Sequence, residues 1–232
     1  FVRQPTKMAF DPENPMGVFR MFGTVNQDFV GLASAPIKGV KKKNSLRLRM
    51  TRRDIIEAVE DSTDWKDFYS RHEKLLKEYF GTDAELFQRI LSATSQAASV
   101  KSNVALALKA YGQMKRGEPF LDSKGKGYLK GVASNLEQIR DGEELRGRKI
   151  SNYDKASAGD TSKVVVDRHI ARMLFNTTSP SKAQFEKAEK VLAEIANTLG
   201  WEPRQVQAAL WGASIRKSGE TPVSYDGWLQ TL

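Results

Sequence analysis

Cysteine is absent from all 232 residues. That excludes disulfides, a thiol nucleophile and a metal held by thiolates. No apolar run approaches the roughly 20 residues that a membrane-spanning helix needs, so no membrane partner is expected. The N-terminal stretch has no continuous apolar core, so no secretory signal is read there. The phosphate-cradling pattern G-x-x-x-x-G-K-[ST] is missing, although 117–131 is rich in Gly and Lys (Lys124, Gly125, Lys126, Gly127, Lys130). Apolar and polar residues nowhere alternate over the length of a convincing strand, whereas helical periodicity recurs, so the expected fold class is all-α. Histidine is scarce, at two residues. His72, between Arg71 and Glu73, reads as a surface or half-buried side chain rather than a ligand. Neither a metal nor a cofactor is expected.

What is present is a chain long enough to bury a core, as one large domain or two small ones, with 40% apolar residues. The net charge of +9 and pI near 9.6 point to a polyanionic partner. Between Lys38 and Arg53 stand eight basic residues and no acidic one: Lys38, Lys41, Lys42, Lys43, Arg47, Arg49, Arg52 and Arg53. The run reads either as a solvated linker or as a DNA-binding arm. Residues 1–50, with Pro5, Pro12, Pro15 and Pro36, show no sustained periodicity and read as an irregular basic extension. Val18, Phe19 and Phe22 are expected to dock it on the body.

Helices follow from residue 51. Thr51 caps the first, with Ile55, Ile56 and Val59 inward. Further helices are expected at 65–79, 84–97, 100–115 (capped by Ser99), 128–140, 149–156, 167–174, 181–199 and 203–215. Tyr225 and Trp228 in the tail are read as core aromatics.

The stretch with chemical content runs from Glu143 to Phe175. Lys149 follows a glycine-containing turn, Leu145-Arg146-Gly147-Arg148, and opens a helix whose apolar positions are Ile150, Tyr153 and Ala156. The segment breaks at Gly159-Asp160-Thr161-Ser162. Val164-Val165-Val166 then delivers Asp167 to the start of another helix, 18 residues after the lysine.

Gly147-Arg148-Lys149 followed at that distance by Val166-Asp167-Arg168-His169-Ile170, with Arg172 trailing, resembles the helix-hairpin-helix DNA glycosylases of the endonuclease III and type-2 8-oxoguanine glycosylase kind. There a G-x-K turn carries the lysine nucleophile and a V-D-x-H-[VI]-x-R motif the catalytic aspartate. Leu91-Ser92-Ala93 and Ser99-Val100 resemble that family's L-S-A/Q-Q-T-x-x-x-x-V segment, and the likeness covers roughly residues 80–215. The resemblance implies a two-lobed fold: a barrel lobe over 84–166, a second lobe from 51–83 plus 167–232, and DNA across the cleft. It also implies an active monomer that flips one base out of duplex DNA. The absence of cysteine excludes the iron–sulfur cluster that many such relatives carry.

Carried over residue by residue, the resemblance makes Lys149 and Asp167 catalytic. DNA contacts are expected from Gly147, Arg148, Thr94, Gln96, Lys101, Asn103, His169 and Arg172. Thr94 stands where the family has a gap-filling glutamine, with Gln96 two residues later; the same loop also reads as an ordinary polar turn. Lys101 and Asn103 open the next helix, where amides and a cation suit a phosphate. His169 serves as a cleft contact or packs beneath Asp167. Leu145 stands where the family's hairpin has its first glycine, and no proline precedes it. Leucine enters the left-handed region only at a cost, so the turn is expected to differ from the family's.

The chemistry needs both groups. A carboxylate stabilises the oxocarbenium-like sugar carbon or activates the nucleophile. A neutral lysine amine attacks C1′ and forms a Schiff base that permits strand cleavage. Burial and neighbouring cations, here Arg148 and Lys155, are expected to lower the lysine pKa. Two other readings stay open: a phage-type enzyme of this fold acting on hypermodified thymine as a pyrophosphorylase or aminoacyl transferase, and a non-catalytic DNA-binding module.

Overall fold

A computed structural model describes residues 46–121, 125 and 127–225. The extension to residue 45, with Val18, Phe19, Phe22 and the lysines from Lys38 to Lys43, lies outside the described residues, as do Lys124, Lys126 and Trp228. Apart from short 3-10 turns, the regular elements among the described residues are α-helices, so this part of the protein is all-α.

Local chemistry sets the helix ends. Thr51 and Asp54 form a reciprocal capping box that opens α1, Arg52–Glu60. A 3-10 turn, Thr63–Trp65, precedes α2, Phe68–Phe80. The continuous helix expected over 65–79 is therefore interrupted, because Trp65 is drawn inward and packs edge-on against Trp211 at 5.2 Å. Helix α3 is Ala84–Thr94. It stops three residues short of expectation at a turn in which Ala97 adopts φ +57°. Ser99 opens α4, Val100–Lys115, by accepting a hydrogen bond from the Ser102 amide.

Helix α5 is Lys130–Arg140. The Tyr128 amide closes the preceding loop onto the Leu121 carbonyl at 2.7 Å, which keeps residues 128 and 129 out of the helix. Then come α6, Arg148–Ser157, and α7, Arg168–Phe175, the latter ended by Asn176 at φ +58°. A second capping box, Ser181 with Gln184, starts α8, Lys182–Leu199, and Pro203 takes the first position of α9, Pro203–Lys217.

Side chains gather into two hydrophobic clusters. The first joins α2, α3, α4, α5 and α6, with Phe87, Ile90, Leu91 and Leu136 fully buried. The second joins α1, α7, α8 and α9 around Ile55, Ile170, Leu192 and Leu210. The division expected at residue 83 therefore moves. Tyr69, Leu75, Leu76 and Phe80 place α2 with the α3–α6 helices, since its apolar stripe meets Phe87 of α3, whose ring stacks on Phe80 at 3.8 Å.

The extended segment 163–167 runs between the clusters. Its side chains alternate, as extended backbone requires: Val164 and Val166 enter the second cluster and Val165 the first. Asp167 is thereby delivered to the seam.

Candidate active site

Gly147 makes the turn before α6. Its φ of +93° lies in the region that favours glycine. Leu145 takes no such conformation. It is buried in the first cluster, so the hairpin is anchored by an apolar side chain where a two-glycine turn would offer backbone amides.

The Lys149 side chain turns back towards the end of α3. Its Nζ donates to the Ser95 carbonyl at 3.2 Å and to the Ser95 hydroxyl at 3.0 Å. Burial pushes its pKa below the ordinary 10.5. The charge of Asp167 opposes that shift and the charge of Arg168 adds to it. Asp167 and Lys149 therefore lie within electrostatic reach of each other. The cations expected to act on the amine are different ones: Arg148 binds Glu189 through Nε and Nη2, at 3.1 and 2.6 Å, and Glu186 at 3.3 Å, while Lys155 pairs with Glu144 at 3.1 Å. Arg148 is thus tied to α8 by two carboxylates.

Asp167 caps α7. Its Oδ1 accepts from the His169 and Ile170 amides, both at 2.9 Å, and its Oδ2 accepts from the Trp211 indole at 3.1 Å. Three donors from two helices hold the carboxylate in one orientation. His169 packs its ring edge-on against Trp211 at 6.4 Å, its carbonyl accepts from Ser214, and burial lowers its pKa first, with Arg168 and Arg172 adding to the shift and Asp167 opposing it. Of the two readings of His169, packing describes what is seen. Arg168 and Arg172 are exposed beside it.

The remaining expected contacts divide. Gln96 and Lys101 are exposed, and Gln96 lies against Gly131 at the start of α5. Thr94 and Asn103 are 0% and 1% exposed. Both are shut off from solvent, so the phosphate contact expected at Asn103 and the gap-filling role expected at Thr94 are corrected. The Thr94 hydroxyl bonds Asn103 Oδ1 at 2.7 Å, because two neighbouring buried polar groups need partners. His72 is likewise buried, not half-exposed, with Nε2 2.7 Å from Gln88 Oε1.

Tyr153 and Tyr225, expected as an inward position and a core aromatic, are both buried in the first cluster, but their relation to Lys149 and to each other was not foreseen. Tyr153 lies one helical turn from Lys149, on the same face of α6. Its ring is 6.5 Å from that of Tyr69, whose hydroxyl bonds Gln207 Oε1 at 2.6 Å and whose pKa is raised first by burial and next by Asp167. Tyr225 packs against His72 at 4.8 Å. The i,i+4 relation of Lys149 and Tyr153 was readable from spacing. The approach of Trp211 and Tyr225, tens of residues away, was not.

A cavity of about 560 Å³ lies elsewhere. Ser151, Asp154, Lys155 and Ala158 line it, and these occupy the face of α6 opposite Lys149 and Tyr153.

Residues 40–218 match a family of unknown function (DUF7178), and the chain belongs to that family. No curated protein and no solved structure matches.

Proposed function

We propose that the protein is a DNA glycosylase with abasic-site lyase activity, built on a two-lobed helix-hairpin-helix plan in which DNA crosses the seam between the two clusters. The observation that carries this reading is the Lys149 amine. It is desolvated, its pKa lies below the ordinary value, and it sits within the field of a carboxylate held at the head of the following helix. Burying a cation costs free energy, which the two hydrogen bonds to Ser95 offset only in part. A nucleophile needs such a place.

The reaction then runs as follows. The neutral Lys149 amine attacks C1′ as the base departs with the glycosidic electron pair and takes up a proton. Asp167 stabilises the positive charge that develops on the sugar carbon. Ring opening gives a Schiff base between Nζ and C1′. Loss of a C2′ proton and of the 3′-phosphate cleaves the strand, and water releases the lysine. The exposed Arg168 and Arg172 and the net charge of +9 supply attraction for phosphates.

A panel of duplexes carrying single modified bases, assayed for released base with Asp167→Asn as the control, tests the reading. Release by the parent chain at least 100-fold faster than by the variant is the expected result. Equal rates would remove the carboxylate from the mechanism. DNA binding with no release and no covalent product would leave a binding module.

A further inference from the structure

After α9 the chain runs along the surface, with Val223 exposed, and then turns one side chain inward. Among the described residues the last backbone donation in this strap is from the Glu220 amide to Ile215. Tyr225 is its anchor, 7% exposed.

The walls around the Tyr225 ring differ from the aliphatic interior nearby. Phe68 lies at 6.1 Å and His72 at 4.8 Å, both from α2. Asn103 Nδ2, from α4, donates to the phenol oxygen at 2.8 Å. Among the described residues, the buried Tyr153 hydroxyl of α6 has the Tyr225 phenol as its polar neighbour, at a geometry short of a full hydrogen bond. A buried hydroxyl so poorly paired is costly, and a ligand that supplies a better partner relieves that cost.

Two routes connect this pocket to the reacting pair. Tyr153 is one helical turn from Lys149. Thr94, which bonds Asn103, is the neighbour of Ser95, which bonds the Lys149 amine. The phenol is a single six-membered ring carrying one oxygen that accepts from an amide. A pyrimidine has the same ring size and carries carbonyl oxygens, whereas a purine exceeds it by a fused ring.

We propose that Tyr225 occupies the pocket for an everted pyrimidine, which displaces it and accepts hydrogen bonds from Asn103 Nδ2 and the Tyr153 hydroxyl. This rests on the glycosylase reading and assigns its substrate class and its resting state. The strap then acts as a competitor for the base, so opening it is part of the cost of binding.

Fluorescence anisotropy on the full chain and on Tyr225→Ala, with three duplexes, tests it: one holding a mispaired thymine, one a mispaired adenine and one a tetrahydrofuran site. The variant is expected to bind the thymine duplex at least tenfold more tightly than the parent and the other two unchanged. A change shared by all three, or no change, overturns the pocket while leaving DNA binding intact. No binding of any duplex by either protein sinks the glycosylase reading itself. Hydrogen exchange on the parent chain needs no variant. Amides of 219–225 are expected to exchange faster with the thymine duplex than with the tetrahydrofuran duplex, and equal protection in both contradicts the proposal.

Discussion

The indole of Trp211 donates to the outer oxygen of Asp167 at 3.1 Å, across 44 positions of sequence. The inner oxygen is already engaged by the first amides of α7, so among the described residues the indole is the hydrogen-bond donor from outside that helix which sets how the carboxylate is turned. Trp211 is itself seated by the edge of Trp65 and by His169.

Trp211→Phe keeps most of that packing and removes the donor. A hydrogen bond to a charged group is worth about 1.5–3 kcal/mol. Base release is expected to slow by a factor of about ten or more at unchanged KM, and urea unfolding to lose about 1–2 kcal/mol. Steady-state kinetics on a duplex that the parent chain processes separates the two effects.

Lys149 has its pKa lowered by burial, and the sign of its pH dependence follows. Only the neutral amine is a nucleophile, so covalent capture of an abasic duplex is expected to accelerate with pH and reach a plateau below pH 10.5, the ordinary lysine value. The same shift opposes folding at low pH. The cost of burying the cation is present below the folded pKa and is relieved as pH rises through it. Single-turnover rates across pH check the profile, and Lys149→Arg is expected to show no capture at any pH.

Asp154 lies on the other face of α6. Burial pushes its pKa up from 3.8 to about 6, partly offset by Arg89, whose Nε is 3.9 Å away. A carboxyl raised in the folded state favours folding when protonated, so its contribution is present below pH 3.8 and is lost as pH rises through about 6. Asp154→Asn removes the charge. At pH 8 the variant is expected to be more stable than the parent by up to about 3 kcal/mol, with the difference shrinking towards pH 4. Chemical denaturation at both pH values measures it.

Helix positions were largely legible because caps and periodicity act over a few residues. Thr51, Ser99, Asp167, Ser181 and Pro203 each mark a helix start in sequence and in structure. Boundaries slipped where a side chain was pulled away by a distant partner, as with Trp65, or where one residue took a left-handed conformation, as with Ala97. Lys149 and Asp167 were singled out through the resemblance and their spacing, and they lie within electrostatic reach of each other. Their surroundings were not foreseen, since Trp211, Tyr225 and Arg168 act through contacts that only the packed chain creates. Thr94 and Asn103 show the converse error: a polar residue in a loop or at a helix start reads as solvent-facing, yet a pair of them can be buried by satisfying each other.

Borohydride trapping on an abasic duplex tests the central claim most directly, because reduction makes a Schiff base permanent. A covalent complex whose linkage maps to the peptide carrying Lys149, and which disappears in Lys149→Ala, is the predicted result. An adduct that survives that substitution, or no adduct from a chain that binds the duplex, would contradict it.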